Sequence, residues 1–509
     1  MKINLIEYFI ATCKNYPERV AVSEGEKKLH FEMLYKNTCV IANQISQILS
    51  GGINKPIAVF LPKSIDSIQF NIGIISSGNF YMNLDVKSPY KRIENILQLI
   101  NPLLVITDNI NYLKIKETGY KGLVLITSDT DFDAAIDEKK MLANLEKLID
   151  TDPLCIINTS GSTGTPKGVV LNHRSFIDFT EWSINKLKIG DHEIIGSLSP
   201  LVFDIYSFEL CMLMVKGSTI VLIPEHQSAF PVNILKLMQE TAVSFIFWVP
   251  TIMVNMANMD LIGRVDLPDL KTVWFAGEVF PTKQFNYWKR HLSGTRFINL
   301  YGPIEITLDC TYYIVERELK DDEPIPIGFA CKNTDVIILN EDDKLCGPNE
   351  EGELCVRGTS LAMGYYNNPE KTQKAFVQNP LNTSYPEIIY RTGDLVFVND
   401  SGEIIFKGRK DSLVKHLGYR IELGEIEHVI INTLKLVKNG CVAYNFLKKE
   451  IVLFYESDKD LNTAEMRKEL GTVFPKYMIP TTFTRLEELP RNTNGKIDRL
   501  FLSIQINGE

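Results

Sequence analysis

Residues 155–168 read Cys155-Ile-Ile-Asn-Thr-Ser-Gly-Ser-Thr-Gly-Thr-Pro-Lys-Gly168. A short apolar strand runs directly into a loop of glycines and hydroxyl groups that ends with a lysine. Glycines let the backbone turn its N–H groups toward an anion, hydroxyls add donors, and Lys167 adds a positive charge. The stretch therefore predicts a phosphate-binding loop. It is not a Walker A loop, because Lys167 follows Pro166 and no Gly-Lys-Ser/Thr is present.

The composition around this loop is that of an ordinary globular protein. The 509 residues are 45% hydrophobic and 23% charged, and the net charge of −9 comes without a basic run, which disfavours nucleic-acid binding. Nine scattered cysteines without a CxxC pair exclude a disulfide framework or a cysteine zinc site and indicate a reducing cytoplasm. The sequence contains no uncharged apolar run of about 18 residues, so it predicts no membrane span.

Alternation of short apolar runs with amphipathic segments predicts an α/β fold with largely parallel sheets. From about Pro324 the chain becomes β-rich, and the last hundred residues return to mixed α+β. The polar stretch Gly408–Asp411 marks the predicted domain boundary. The predicted strands and helices are strands 56–61, 103–107, 122–126, 218–223, 335–339, 352–356, 402–406 and 450–455, and helices 64–76, 231–241 and 422–434.

Several motifs occur in a fixed order along almost the whole chain. They are residues 81–85 with Pro89 and Arg92, 159–175, 299–305, 390–395, 408–411 followed by 418–427, and 494–499. Together they resemble the signature of the adenylate-forming superfamily, which includes acyl-CoA synthetases, luciferases and the amino-acid adenylation domains of nonribosomal peptide synthetases. Two positions depart from that pattern: Asn83 replaces a proline and Ile304 replaces a threonine.

The resemblance implies a two-step, ATP-dependent reaction. A carboxylate attacks the α-phosphate of ATP to give an acyl-adenylate and pyrophosphate, and a thiol then takes the acyl group. The implied architecture is a large two-lobed N-terminal domain (1–408), a hinge (409–411) pivoting at Asp411, and a mobile C-terminal domain (412–509). Lys496 of that domain is the implied catalytic residue, stabilising charge in the transition state.

The resemblance also assigns nucleotide-binding residues. Tyr301 is expected to stack on adenine, Asp394 to accept from the ribose hydroxyls, and Glu305 to bind Mg²⁺. Taken alone, Tyr301 could be a core aromatic and Asp394 a turn residue. The full ATP/AMP set is Thr159, Ser160, Gly161, Ser162, Thr163, Gly164, Lys167, Tyr301, Glu305, Asp394 and Arg409.

Residues 199–209 resemble the pocket motif of amino-acid adenylation domains, in which an Asp pairs with the substrate's α-ammonium. Asp204 takes that place, and an unpaired carboxylate among apolar neighbours makes sense only if a cation binds there. A small polar substrate such as serine is favoured, a basic one (ornithine or arginine) comes next, and D-alanine is a further alternative. The carried-over pocket is Asp204, Ile205, Phe208, Phe247, Trp274, Ala276, Gly277, Leu300, Leu308 and Asp309.

Residues 275–281 and the stand-alone layout are similar to D-alanyl carrier protein ligases, although Ala276 and Asp309 differ from that subgroup. We expect a separate phosphopantetheinylated carrier protein as the thiol partner, because no carrier segment follows Arg499. The loop 412–417 is expected to face the incoming thiol, and Leu413 and Leu417 depart from the usual pattern there.

Three other classes remain open at this stage. An acyl- or aryl-CoA synthetase would use free coenzyme A, and Asp204 opposes that interpretation. A luciferase-type oxidoreductase would emit light or consume oxygen. A non-catalytic binding module on the same fold is disfavoured because Lys167, Glu305, Asp394 and Lys496 are all present.

Overall fold

A computed structural model describes residues 2–160, 166–410, 413–457, 461–491 and 497–508. Its longer helices are α1 (Leu5–Asn15), α2 (Phe31–Ile48), α3 (Ile65–Ser76), α4 (Tyr90–Ile100), α5 (Tyr112–Glu117), α6 (Glu138–Leu145), α7 (His173–Lys186), α8 (Asp204–Lys216), α9 (Pro231–Glu240), α10 (Pro250–Asn258), α11 (Thr282–His291), α12 (Pro369–Ala375), α13 (Leu423–His428), α14 (Thr463–Leu470) and α15 (Arg499–Asn507).

Strands before the β-rich region build the two large sheets. They are β1 (Val20–Glu24), β2 (Lys27–His30), β3 (Pro56–Phe60), β4 (Phe80–Asn83), β5 (Leu104–Thr107), β6 (Leu123–Ile126), β7 (Pro153–Thr159), β8 (Lys167–Asn172), β9 (Ile194–Ser197), β10 (Thr219–Leu222), β11 (Phe245–Trp248), β12 (Thr272–Phe275), β13 (Arg296–Tyr301), β14 (Thr311–Ile314) and β15 (Phe329–Ala330).

Later strands form the smaller sheets, except one that joins a large sheet. They are β16 (Thr334–Leu339), β17 (Gly352–Gly358), β18 (Gly364–Tyr365), β19 (Phe376–Gln378), β20 (Ile388–Val398), β21 (Ile404–Arg409), β22 (Leu413–His416), β23 (Tyr419–Glu422), β24 (Gly440–Asn445), β25 (Glu450–Glu456) and β26 (Thr482–Leu486).

The two large sheets are parallel in their centres. The nine-stranded sheet has the order β15-β14-β13-β12-β11-β9-β10-β1-β2, and the seven-stranded sheet has the order β18-β8-β7-β4-β3-β5-β6. Antiparallel pairs lie only toward the edges of these described strands, at β13–β14–β15, β1–β2, β7–β8 and β8–β18. Consecutive parallel strands are joined through helices, which explains the alternating sequence pattern.

Helices packed between the two large sheets carry the largest apolar core. It includes Ile41 of α2, Phe70 of α3 and Met212 of α8, all fully buried. A second core around Met253 and Trp288 covers the other face of the nine-stranded sheet. The mixed, helix-flanked architecture confirms the predicted α/β fold with parallel sheets and a β-rich part, in which β16, β17, β19, β20 and β21 pair with one another.

The described strands after residue 412 pair only among themselves, as β22–β23 and β24–β25–β26. Most predicted element bounds agree with the structure to within two residues. One local prediction is wrong. Residues 413–416 form strand β22, not a loop, because they pair antiparallel with β23. The predicted helix over 422–434 is confirmed as a continuous helical segment, made of the short α-helix α13 and a π-helical turn at Val429–Thr433.

Candidate active site

The predicted site residues gather where parallel strands of the two large sheets end. Strand β7 of one sheet ends at Thr159, immediately before the phosphate loop, and strands β11, β12 and β13 of the other bring Phe247, Ala276 and Tyr301 to a common edge. In open α/β sheets, the carboxyl edge is where connecting loops form a cleft for ligands. The fold therefore brings the nucleotide motifs and the pocket motif into one region.

Thr159 and Ser160 close strand β7, and Lys167 opens strand β8. Lys167 Nζ lies 2.9 Å from Glu422 Oε1, and both side chains are mostly buried. Ser160 Oγ donates to Arg420 O at 2.6 Å and accepts from Glu422 N at 3.2 Å. Residues Gly161, Ser162, Thr163 and Gly164 lie outside the described residues. The lysine that we predict to hold phosphate is thus paired with a carboxylate of β23.

Tyr301, Asp394 and Arg409 form one buried cluster. Asp394 of β20 faces Arg409 of β21 across the ladder, and its two oxygens bond to Tyr301 Oη and Arg409 Nη1. Arg409 Nη2 also donates to Thr392 O at 3.0 Å. Burial and the charge of Asp394 raise the pKa of Tyr301 well above its usual value, so its hydroxyl stays a donor. Sequence reasoning placed all three at the nucleoside, and the structure brings them together.

Glu305 is fully buried in a short 3₁₀ turn at Ile304–Ile306. One carboxylate oxygen accepts from Tyr365 Oη at 2.8 Å, and the other lies 2.5 Å from Arg420 Nη1. Burial raises the pKa of Glu305, but the charge of Arg420 and the hydrogen bonds outweigh it, so the carboxyl ionises below its usual range. The position therefore carries an ionised carboxylate, and in this structure Arg420 is its counter-charge.

The residues around Glu305 suit a Mg²⁺ ion that the protein shares with a nucleotide. Among the described residues, no cluster of three or more His, Cys, Asp or Glu side chains could hold a metal ion. A lone carboxylate such as Glu305 instead fits Mg²⁺ that arrives with nucleotide phosphates, since Mg²⁺ commonly takes one or two protein carboxylates and fills its shell with phosphate and water. Bound there, the ion would neutralise phosphate charge.

Aromatic side chains form one wall of the predicted amino-acid pocket. Phe208 and Trp274 are stacked with ring centroids 5.3 Å apart, and Phe247 contacts both rings edge-on. Trp274 is fully buried, and its indole Nε1 has no hydrogen-bond partner among the described residues. The other lining predictions are buried too, apart from the partly buried Gly277 with φ +90°: Ile205, Ala276, Leu300 and Leu308. This wall consists of closely packed aromatic rings and carries one donor that has no partner in the described part of the chain.

Asp204 and Asp309 bring two carboxyl groups to this apolar lining. Asp204 begins helix α8, and its Oδ1 accepts from Ile205 N at 2.9 Å. Burial raises the pKa of Asp204 to about 6. Burial and then the charge of Asp204 raise the pKa of Asp309 well above its usual value. Among the described residues neither carboxylate forms an ion pair, so the pocket is prepared for a positive or hydrogen-bonding ligand.

Lys415 lies within the predicted loop 412–417 and was assigned no role from the sequence. It lies on β22 opposite Arg420, and its charge acts on Asp204, Asp309 and Asp394. Burial lowers the pKa of Lys415, and Asp394 and Asp309 oppose that shift. The available signal was three charged residues close together in the sequence: Lys415, Arg420 and Glu422.

Two polar residues that were assigned no role from the sequence hold the segment that leads to Asp204. Lys63 Nζ donates to Ser197 O at 3.0 Å and Ser199 O at 2.7 Å. Asn83, which replaces the usual proline, donates from Nδ2 to Leu201 O at 3.0 Å. Both come from the seven-stranded sheet side, so they tie the pocket segment to the other large sheet.

Lys496 and Asp411, the predicted catalytic lysine and hinge, lie outside the described residues.

Every described helix is too short or too polar to cross a lipid bilayer. All nine cysteines are free thiols, and most are buried.

A family model for AMP-binding enzymes matches residues 9–366. The chain belongs to this family. The predictions of an AMP-binding, adenylate-forming ligase and of a likeness to nonribosomal peptide synthetase adenylation domains are thereby confirmed.

Two curated relatives match nearly the whole of this chain. Zwittermicin A synthase ZmaJ of Bacillus cereus is 29% identical over 97% of this chain and 95% of that protein. Tyrocidine synthase 1 of Brevibacillus parabrevis is 29% identical over 97% of this chain but only 44% of its own length. The chain thus spans nearly all of the first relative and less than half of the second.

Solved structures show the same fold at lower sequence identity. The Vibrio cholerae adenylation domain AlmE, in complex with glycyl-adenosine-5'-phosphate, has a TM-score of 0.85 at 19% identity and covers 100% of this chain and 98% of that chain. Holo-PA1221, a nonribosomal peptide synthetase protein with adenylation and PCP domains, has a TM-score of 0.82 at 20% identity over 98% and 84% of the chains.

Proposed function

We propose that the chain activates an α-amino acid as aminoacyl-AMP, with release of pyrophosphate, and passes it to the phosphopantetheine thiol of a separate carrier protein. The proposal rests on the surroundings of the Asp204 carboxylate. Protein atoms surround its carboxylate, which makes no ion pair with a described residue, yet part of the side chain is solvent-accessible, as in a group that lines a cleft. An α-ammonium is the ligand that such a carboxylate needs.

The nucleotide would bind beside this carboxylate. Tyr301, Asp394 and Arg409 offer an aromatic face, a carboxylate and a guanidinium to the nucleoside, and Lys167 with the loop 159–164 offers positive charge and donors to the phosphates. Mg²⁺ would bind at Glu305. Lys496 would stabilise charge at the α-phosphate as the carboxylate attacks, and rotation at Asp411 would then withdraw it for thioester formation.

The side chain of the substrate is proposed to be small and polar, with serine favoured. The stacked Phe208 and Trp274 limit the depth of the pocket, while the unpartnered Trp274 Nε1 and the Asp309 carboxyl offer a donor and an acceptor. A hydroxyl satisfies both. A basic substrate such as ornithine would instead pair with an ionised Asp309. The relatives support the reaction class, because AlmE is described with glycyl-adenosine-5'-phosphate and PA1221 with a PCP domain.

Amino-acid-dependent pyrophosphate release with ATP and Mg²⁺ tests the proposal. The panel is the twenty common amino acids, D-alanine, ornithine and simple acids without an amine. Release with serine or another small polar amino acid is expected. Release only with acids that lack an amine would refute amino-acid activation and indicate an acyl-CoA synthetase.

The variant Asp309→Asn separates the two classes of side chain. With a hydroxyl substrate the amide still accepts a hydrogen bond, so kcat/KM is expected to fall less than about tenfold. With a basic substrate the variant loses a buried charge partner and kcat/KM falls by about 100-fold or more. The acceptor is tested by comparing holo-carrier protein with free coenzyme A, and loading of coenzyme A alone would overturn the carrier assignment.

A further inference from the structure

The hairpin of β22 and β23 (residues 413–422) covers the candidate active site. Its turn is fixed by Gly418 N, which donates to Glu278 Oε1 at 2.7 Å, just beyond Ala276 and Gly277 of the pocket wall. Its far end is fixed by Ser160, which bonds to Arg420 O and Glu422 N. The hairpin is therefore anchored to the amino-acid side and to the phosphate side at once.

Cross-strand register places the charged side chains of the hairpin on one face. Lys415 pairs with Arg420, and Glu422 is two residues further along the same strand. Cross-strand partners and residues two apart project from the same side of a β-ribbon. Lys415, Arg420 and Glu422 therefore share the face that lies against the site.

Arg420 forms an ion pair with Glu305, the proposed metal ligand. Its Nη1 lies 2.5 Å from Glu305 Oε2, and the other Glu305 oxygen is bonded to Tyr365. A divalent cation at Glu305 would meet the guanidinium as a like charge in a buried setting. The two cations therefore exclude each other at this carboxylate.

Glu422 and Lys415 also carry the same charge as the ligand groups expected at their partners. Glu422 is negative like a phosphate, and Lys415 is positive like an ammonium. Glu422 pairs with Lys167 at 2.9 Å, so a phosphate oxygen at Lys167 would meet a carboxylate. Lys415 lies opposite Arg420 on the face of the hairpin that packs against the site, and its charge lowers the pKa of both Asp204 and Asp309. A substrate ammonium at Asp204 would meet this like charge. Each hairpin charge has the sign of the ligand group expected at its partner.

We propose that this hairpin is an internal substitute for the substrates, with Lys415 in place of the α-ammonium, Arg420 in place of the metal ion and Glu422 in place of a phosphate. The inference rests on the proposed function of the partner groups. The hairpin gives each of them a counter-charge when no ligand is bound, and binding of ATP with Mg²⁺ requires its displacement.

The first test is binding of ATP with Mg²⁺ to the full chain, measured by calorimetry without amino acid. Glu422→Gln removes the charge that competes with phosphate, so the Kd for ATP is expected to fall about 3- to 10-fold, equivalent to about 0.7–1.4 kcal/mol. Glu450→Gln is the matched control, because it removes the same charge from β25, where the carboxylate contacts only Thr482 at 3.3 Å among the described residues. The control is expected to leave Kd unchanged.

Hydrogen exchange of peptides covering residues 413–422 provides a second readout on the unmodified chain. Displacement releases Gly418 N from Glu278 and Glu422 N from Ser160, so ATP with Mg²⁺ is expected to accelerate exchange at these amides. Slower exchange would mean that ATP binds beneath a closed hairpin, and it would overturn the inference. An unchanged Kd in Glu422→Gln would do the same while ATP binding, and with it the proposed function, stands. No ATP binding at all would refute both.

Discussion

Replacing Asp204 with asparagine tests the amino-acid pocket most directly. The substitution keeps the size of the side chain and its acceptor for Ile205 N, and it removes only the charge. Two unit charges about 4 Å apart at an effective dielectric of about 20 attract by about 4 kcal/mol. Part of that is offset by desolvation of the substrate ammonium, which leaves about 2–3 kcal/mol, or a loss of about 30- to 150-fold in kcat/KM for the amino acid.

The pH profile sharpens this prediction. Burial raises the pKa of Asp204 to about 6 in the ligand-free site, so its carboxylate is protonated as the pH falls below that value and cannot pair with an ammonium. In the unsubstituted enzyme, kcat/KM is expected to fall about tenfold per pH unit below pH 6. Asp204 and Asp309 interact, so the apparent value belongs to the pair. In Asp204→Asn this acidic limb should disappear.

The assay is pyrophosphate exchange at varied amino-acid concentration and saturating ATP, from pH 5 to pH 8. Asp191→Asn is the matched control, because Asp191 is fully exposed and, within the described part of the chain, pairs only with Lys216 at 3.0 Å. Thermal melting checks folding. The folded pKa of Asp204 is raised, so its contribution to stability is present below the unfolded pKa and lost as pH rises through 6, and the variant should be at least as stable at pH 7. A variant with normal kcat/KM and an unchanged acidic limb would refute the ammonium-pairing role.

Three further outcomes are expected. Lys496→Ala should abolish adenylate formation while ATP binding survives in calorimetry, and near-full adenylation would contradict the catalytic assignment. Asp394→Asn weakens the charge-assisted bonds to Tyr301 and Arg409, so kcat/KM for ATP should fall about 10- to 100-fold with little change in KM for the amino acid; an unaltered ATP dependence would argue against a nucleoside site there. Trp288→Ala should lower the free energy of unfolding in urea by about 3–5 kcal/mol, since Trp288 is fully buried and bonds to Met253 O, while KM values of the folded enzyme stay normal.

Local sequence patterns were sufficient to predict much of the fold. Strand–helix alternation predicted parallel sheets, because apolar runs bounded by amphipathic helices can bury both faces only in that way. The hydroxyl- and glycine-rich stretch after β7 predicted a phosphate site, and the ordered motifs identified the family. Residues 413–416 were wrongly predicted as part of a loop, because a strand of four residues depends on its pairing with β23, which the local sequence does not reveal.

The sequence by itself determined which chemical groups the chain carries: a lysine beside a glycine loop, a carboxylate after a proline turn, and an aspartate before an apolar helix. Only the tertiary structure decided which charges face one another. Glu305 and Arg420 are 115 residues apart, and Lys167 and Glu422 are 255 apart, so no local pattern pairs them. The physical reason is that a buried charge is stabilised by an opposite charge close to it in space. That neighbour depends on how the hairpin packs over the carboxyl ends of strands from both large sheets.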